Sequence, residues 1–493
     1  MPGFRASGSF NFKLTPLKGA WLLRHIRHPT LFIAVMVLAP TIAIGFLGWY
    51  YSAAMQGVLP ADVGLSNFDA IRYVASNVFR QEGNKDSWFA MLEALKLLRE
   101  NSRSDIYETL FFIRSIRFQY PPSSLLPLEW LALIKPLSFR ELNGLDFLIY
   151  CLNAAAAGAL AWLVFRPGPH PPDTSQSGAR PIPNAIGMAL LVTVAAFLFY
   201  PVLRALVLGQ IQVWIDALFT FAVIFWVRDR RMLAGICIGL GCAIKPQFIL
   251  LLVWGLLWRE TRFSTGIIAS FVPMAGMALV RYGLHNNLEY FKVLAFLGKR
   301  GELFFPNNSV NGILNSYFQQ GSNLRWDALA LTPYHPMVYA GTLVASAIAL
   351  GLIVLPCLLG RGRRPSIEDF CAAALCTVVG SPVAWDHHYG ILLPIFVIAL
   401  RSTLDVPIGL RRGVAIASLL ISWILVANFV PFVHLLALTP FRFLQAHLFF
   451  GALLLLYTLY SLSAFRRALD RRPHQESVHG YPNSEIEGCA CRP

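Results

Sequence analysis

Charged residues are scarce in this 493-residue chain: Asp, Glu, Lys and Arg make up 14% of it, against 56% hydrophobic residues. Mean hydropathy is +0.56. A soluble domain of this length needs far more polar surface, so the composition places the chain among all-α polytopic membrane proteins. Short segments of alternating hydrophobicity are also missing, which argues against a β-barrel. The apolar runs are continuous, and in hydrocarbon such a run satisfies its backbone groups only as a helix. Acidic residues are few as well, 26 against 41 basic ones, for a formal net charge of +15. The excess does not indicate a nucleic-acid partner, because the basic residues fall at the ends of apolar runs. Arg228, Arg230 and Arg231, Arg259 and Arg262, Arg361, Arg363 and Arg364, Arg411 and Arg412, and Arg466 and Arg467 form a positive-inside pattern. Of the eight cysteines, Cys151, Cys237, Cys242, Cys357, Cys371 and Cys376 lie in or beside apolar runs, as packing residues do. Cys489 and Cys491 form a lone C-x-C, too few ligands for zinc, and neither a disulfide nor a metal is expected. No small-residue cleavage site follows the first apolar run, so Leu31–Tyr51 is expected to be a retained helix.

Three regions are expected in order. Residues 1–29 are basic with interspersed apolar side chains and suit a cytoplasmic segment lying on the membrane. Residues 30–465 form the membrane domain, and the polar tail 466–493 is expected to be cytoplasmic and disordered. Within the membrane domain, residues 53–119 make an outer loop whose amphipathic pieces, Ser87–Glu100 and Asp105–Arg117, suit short interfacial helices. Tyr120-Pro-Pro122 opens the next helix, since a first-turn proline leaves no N–H unsatisfied. Further apolar runs follow to residue 463, interrupted by an outer loop at 283–336. If the arginine clusters are all cytoplasmic, the chain crosses about twelve times with both termini inside a plasma (inner) membrane. Residues 120–165 must then make one crossing rather than two.

That orientation puts five polar groups on the outer side. Asp69 follows the first crossing, between Phe68 and Arg72; a carboxylate there is a candidate general base and equally a candidate helix cap. Lys245, ahead of Pro246 and Gln247, ends a run of apolar and small residues; it can bind a phosphate, or snorkel to the interface. Arg204 is a second outward cation for the same anion. Asn307, Asn308 and Asn311 offer amides suited to sugar hydroxyls, although Asn-rich turns are common. Trp385-Asp-His-His388 is costly at a membrane edge unless it faces a cavity, and adjacent histidines do not share a helix face. The fifth group is Gly209-Gln-Ile-Gln212.

Taken in order, these groups resemble glycosyltransferase family 87, within the GT-C superfamily of integral-membrane glycosyltransferases. The resemblance rests on Phe68-Asp69, Tyr120-Pro121-Pro122, Gly209-Gln210, Gly235-x3-Gly239 leading to Lys245-Pro246-Gln247, Asn308-Ser309-x-Asn311-Gly312, and Ser381-Pro382-x2-Trp385-x-His387-His388, over residues 30–460. It implies a GT-C-type bundle and transfer of a hexose, usually mannose, from a polyprenyl-phosphate donor to a lipid or glycan acceptor at the outer face. It also implies Asp69 as the catalytic base, His387 or His388 as its assistant, and no metal or cofactor. Lys245, Gln247 and Arg204 would then serve the donor phosphate, and Tyr120, Gln210, Asn308, Asn311 and Trp385 the sugar or acceptor. Two other functions fit the same composition, a lipid-linked sugar transporter or flippase and a polyprenyl-diphosphate-dependent glycan ligase or polymerase. Against the first, the two halves show no clear internal repeat.

Overall fold

A computed structural model describes residues 28–54, 66–77, 85–101, 104–167, 183–319, 322–327, 331–360 and 363–470. The expected interfacial N-terminus, most of the linker between 166 and 183, and the tail with Cys489 and Cys491 lie outside the described residues.

The described residues are helical, without a named strand. In chain order the helices are α1 (Pro29–Ala54), α2 (Asn67–Asn77), α3 (Asp86–Glu100), α4 (Leu126–Ile134), α5 (Phe139–Phe165), α6 (Ala185–Leu198), α7 (Tyr200–Leu208), α8 (Gln212–Val227) and α9 (Arg231–Ile244). After these come α10 (Leu250–Leu257), α11 (Thr261–Arg300), α12 (Val310–Phe318), α13 (Pro336–Leu359), α14 (Ile367–Val379), α15 (Leu392–Asp405), α16 (Leu410–Val426) and α17 (His447–Asp470). Short 3-10 turns lead into α4, α10, α15 and α17, and Tyr107–Ile113 is a π-helical turn.

Six helical segments among the described residues are long and apolar enough to cross a membrane; α6 and α7, bent by 45° at Phe199, make a seventh if counted as one span. The other apolar runs are helical but short. At about 1.5 Å per residue, α8, α9 and α10 fall short of a hydrocarbon core of about 30 Å. Proline explains one of these breaks: Pro246 stops α9 and restarts the chain as a 3-10 turn. In the segment 120–165, α4 is short and α5, at 27 residues, is the helix of spanning length.

The expected helix at Ser87–Glu100 is present as α3. Its apolar face is buried, with Trp88 and Met91 at 0% exposure, and the Trp88 indole donates to Asp146 of α5 at 3.2 Å. Lining up Tyr107, Phe111 and Phe118 inside the protein does the same for the following segment.

Small residues set how closely the central helices approach. A Cβ at Gly235 on α9 would lie 2.0 Å from the Phe263 carbonyl of α11, and one at Gly266 would lie 2.2 Å from the Met232 carbonyl. Nearby, Trp226 stacks on Phe370 with 4.6 Å between ring centres, and Trp254 and Phe263 pack around them.

Polar groups gather at two places. In the first, the N-terminal turn of α14 offers the buried carboxylates Glu368 and Asp369 to α17. Arg466 lies 3.1 Å from Glu368 and Arg467 4.0 Å from Asp369, while Ser463 donates to Asp369 at 2.6 Å. In the second, the breaks at 198–212, 245–246, 301–309, 381–391 and 427–430 meet one another, and this is where the candidate site lies.

Candidate active site

The turn between α7 and α8 is the hub. Gly209 adopts φ 67°, ψ 52°, the left-handed conformation that glycine takes at least cost, and so ends α7 and redirects the chain. The turn presents two glutamines. Gln210 reaches α3 and the Tyr120 segment: its Nε2 donates to Asp86 Oδ2 at 2.6 Å, and its Oε1 accepts from Ser87 Oγ at 2.6 Å and Tyr120 OH at 2.9 Å. Gln212 turns to α9, where Lys245 Nζ donates to its Oε1 at 2.6 Å; its own Nε2 donates to Asp216 Oδ1 at 2.7 Å. Asp216 is fully buried, one turn further along α8.

Asp86 through Gln210 and Asp216 through Gln212 are both tied to the turn that holds Lys245, and the segment bearing His387 and His388 packs beside it. The two imidazoles cross at 89° with 4.7 Å between ring centres. Both lie on the 3-10 turn Asp386–Ile391 that packs on α7 and α8. Asp386 anchors that turn: its Oδ2 accepts from Tyr200 OH at 3.1 Å and lies 3.6 Å from Arg204 Nε, and its Oδ1 accepts from the His387 amide at 2.8 Å. The charge of Arg204 is therefore directed at a protein carboxylate.

The asparagine-rich loop clamps this turn from the other side. Asn307 and Trp385 form an isolated antiparallel bridge, and the Asn308 amide donates to Ala384 O at 2.8 Å. The Asp386 amide donates to Pro306 O at 3.1 Å, and Tyr389 OH donates to Asn308 O. Asn311 donates to Thr342 at 2.9 Å and accepts from Asn315 at 2.8 Å, so its amide is engaged inside the protein. Asn308 Oδ1 is buried without a hydrogen-bond partner among the described residues. The half-buried Trp385 ring packs 5.5 Å from Trp326 and 6.2 Å from Phe304. Below this loop Glu302 is buried near Arg117; burial pushes its carboxyl above the ordinary value, and the guanidinium opposes the rise.

Asp69 stands in the first turn of α2. Its carboxylate accepts from Ser66 Oγ at 2.6 Å and its amide donates to the same oxygen at 3.1 Å, a capping arrangement. Two residues earlier, Asn67 ties α2 to the bend before α7: it donates to Leu198 O at 2.8 Å and Ala427 O at 3.0 Å and accepts from the Phe429 amide at 3.0 Å. The Tyr200 amide also donates to Ala427 O, at 3.1 Å. The helix bearing Asp69 is thus pinned to the segment that delivers Tyr200 to Asp386. Gln247 lines a cavity of about 290 Å³ between α10, α13 and α14, with Ser346, Thr377 and Ser381. Among the described residues, no group of three His, Cys, Asp or Glu side chains is placed to share a metal ion.

Four groups of the site have no counterpart in the sequence reading: Asp86, Ser87, Asp216 and Tyr200. Asp216 carried a usable signal, an acid inside an apolar run four residues after Gln212. Asp86 had none, because the beginning of an amphipathic helix is an ordinary place for an acid.

The family profile of glycosyltransferase family 87 matches residues 118–384, more than half of the chain. The chain belongs to that family. The match takes in Tyr120, Gln210, Lys245, Asn308 and Asn311; it begins after Asp69 and Asp86 and ends before Trp385 and the two histidines. The chain is also 26% identical over 327 residues to a polyprenol-phosphate-mannose-dependent alpha-(1-2)-phosphatidylinositol mannoside mannosyltransferase of Mycobacterium tuberculosis, covering 64% of this chain and 68% of that protein. This family 87 protein is therefore a membrane glycosyltransferase, and its apolar helices make it multi-pass.

Proposed function

We propose that this family 87 enzyme transfers a hexose, mannose, from a polyprenyl-phosphate donor to a lipid or glycan acceptor at the outer face of the plasma membrane. One observation carries the reading: Lys245 is held at 2.6 Å by the neutral amide of Gln212, on the helix against which the turn bearing His387 and His388 packs. A half-buried ammonium whose direct partner is a neutral amide is arranged to receive an anion, and the leaving group of such a donor is a phosphate. The mycobacterial relative's name specifies a polyprenol-phosphate-mannose donor and a phosphatidylinositol mannoside acceptor, which supports the same substrate classes here.

In this reading Asp69 takes the proton of the acceptor hydroxyl as that oxygen attacks the anomeric carbon. The sugar–phosphate bond breaks, and the departing phosphate meets the preorganised charge of Lys245 and a histidine. Asn308 and Trp385 serve the sugar and acceptor side; Arg204 acts through Asp386, Asn311 holds the loop to Thr342 and Asn315, and Gln247 faces the separate cavity beside Ser381. The reading invokes no metal or cofactor. About twelve crossings, with the arginine clusters and both termini cytoplasmic, result if the short helices α8, α9 and α10 and the other short apolar helices each complete a pass together with their flanking turns. All the breaks that build the site then fall on the outer side.

The test is transfer itself. Purified protein in lipid nanodiscs is given radiolabelled polyprenyl-phosphate mannose and a panel of glycolipid acceptors, and products are read by mass spectrometry. Transfer from that donor supports the reading; consumption of polyprenyl-diphosphate sugars alone defeats it.

A further inference from the structure

A further carboxylate, Asp86, adjoins the candidate site through Gln210. Asp86 opens α3 and is exposed, while Ser87 beside it is buried. The neighbouring amide can have only one orientation. If Gln210 were flipped, its oxygen would face Asp86 Oδ2 at 2.6 Å, two acceptors in contact; the carboxylate therefore fixes the NH2 group toward itself. Gln210 Oε1 then meets the hydroxyls of Ser87 and Tyr120 at 2.6 and 2.9 Å, and the Ile211 amide donates to Ser87 Oγ at 3.2 Å. Every member of this network except Asp86 is spent on protein partners. Gln210 occupies Oδ2 of Asp86, and among the described residues no hydrogen bond engages Oδ1.

The surroundings decide what Asp86 can accept. Gln210, which holds Asp86 at 2.6 Å, is two residues from Gln212, which holds Lys245 at 2.6 Å, so one turn brings Asp86 close to the place assigned to the donor phosphate. A carboxylate repels a phosphate. It attracts hydroxyl groups strongly, and can accept from two neighbouring hydroxyls at once. The chemical group joined directly to the phosphate of the donor is a ring of hydroxyl-bearing carbons. Resting on the reading of Lys245 as the donor-phosphate residue, we propose that Asp86, aimed by the Gln210–Ser87–Tyr120 network, recognises the transferred hexose by accepting hydrogen bonds from its hydroxyl groups. Asp86 then sets sugar specificity, a role separate from that of the base.

The experiment uses the full chain in nanodiscs, one fixed glycolipid acceptor, polyprenyl-phosphate mannose, and donors lacking one ring hydroxyl each. Asp86→Asn is expected to lower kcat/KM for the parent donor about 10- to 100-fold with acceptor KM unchanged, the size of a lost hydrogen bond to a charged group. One deoxy donor is expected to lose a similar factor with the wild-type protein and almost none with Asp86→Asn. Gln210→Met, which keeps the charge of Asp86 but frees its side chain, is expected to weaken the same discrimination, and thermal unfolding reports whether either variant is folded. If Asp86→Asn discriminates among the deoxy donors as the wild type does, or if the loss lies wholly in acceptor KM, the proposal is overturned while the donor reading stands. Absence of wild-type transfer from every polyprenyl-phosphate donor overturns both.

Discussion

Lys245 Nζ donates to Gln212 Oε1 at 2.6 Å, across the gap between the end of α9 and the beginning of α8. A half-buried cation held by an amide is a costly arrangement, because an amide offsets less of the desolvation than an ion pair would. Lys245→Met removes that cost together with the charge. It is expected to leave the thermal unfolding midpoint unchanged or raised, yet to lower kcat/KM for the donor by at least about 100-fold. Unfolding curves and initial rates on one preparation check both halves.

Asp69 and Ser66 share a capping arrangement, and the two can be told apart by substitution. Ser66→Ala is expected to cost about 1 kcal/mol of stability with transfer largely retained. Asp69→Asn is expected to abolish transfer while donor binding persists, since an amide cannot serve as a base. Equal residual activities in the two variants would reduce Asp69 to a cap.

Gly390 follows the two histidines in the 3-10 turn and lies against Asp216: a Cβ there would stand 2.1 Å from Asp216 Oδ2. Gly390→Ala is expected to destabilise the protein by about 1–3 kcal/mol and to disturb the Gln212–Lys245 pair that Asp216 orients. Adding Asp216→Ala makes room for the methyl group. The double variant is therefore expected to be more stable than the sum of the single effects, which a thermal double-mutant cycle measures.

The carboxyl of Glu302 is raised by burial above its ordinary 4.5, with Arg117 pulling the other way. A carboxyl with a higher value in the folded protein stabilises it fully below the unfolded value, and that contribution fades as the pH rises through the folded value. Glu302→Gln stays neutral throughout. Between roughly pH 4 and 7 its unfolding midpoint is expected to fall less with rising pH than that of the wild type.

Much of the fold could be read from hydropathy, and the reasons are local. The apolar runs became helices, and the Lys245-Pro246 break appeared where proline removes a donor. The length of each helix was less legible. A bend such as that at Phe199 is stabilised by partners far along the chain, Asn67 and Ala427 among them. The site divided in the same way. Gln210, Lys245 and the histidines stood out because polar groups are rare in apolar surroundings. Asp86 lay in polar sequence, where one more acid carries no information until Gln210 is seen beside it. The asparagines show the opposite limit: Asn307 and Asn311 were legible as unusual, but composition could not distinguish an amide that meets a ligand from one that ties two loops together.

The contacts between α14 and α17 bear on how the protein can be handled. Hydropathy would place the last useful residue near Leu462, where the apolar run ends. Yet Arg466 and Arg467 bring the cations to the buried Glu368 and Asp369, whose neutral partners are Ser402, Ser366 and Ser463. Shortening the chain to its last apolar residue would leave two interior carboxylates without a cation, held, among the described residues, only by Ser402 and Ser366. A reporter or affinity handle therefore belongs beyond Arg467. Fluorescence-detected size exclusion of a series of end points should show monodisperse protein down to that residue and aggregation once the arginines are gone.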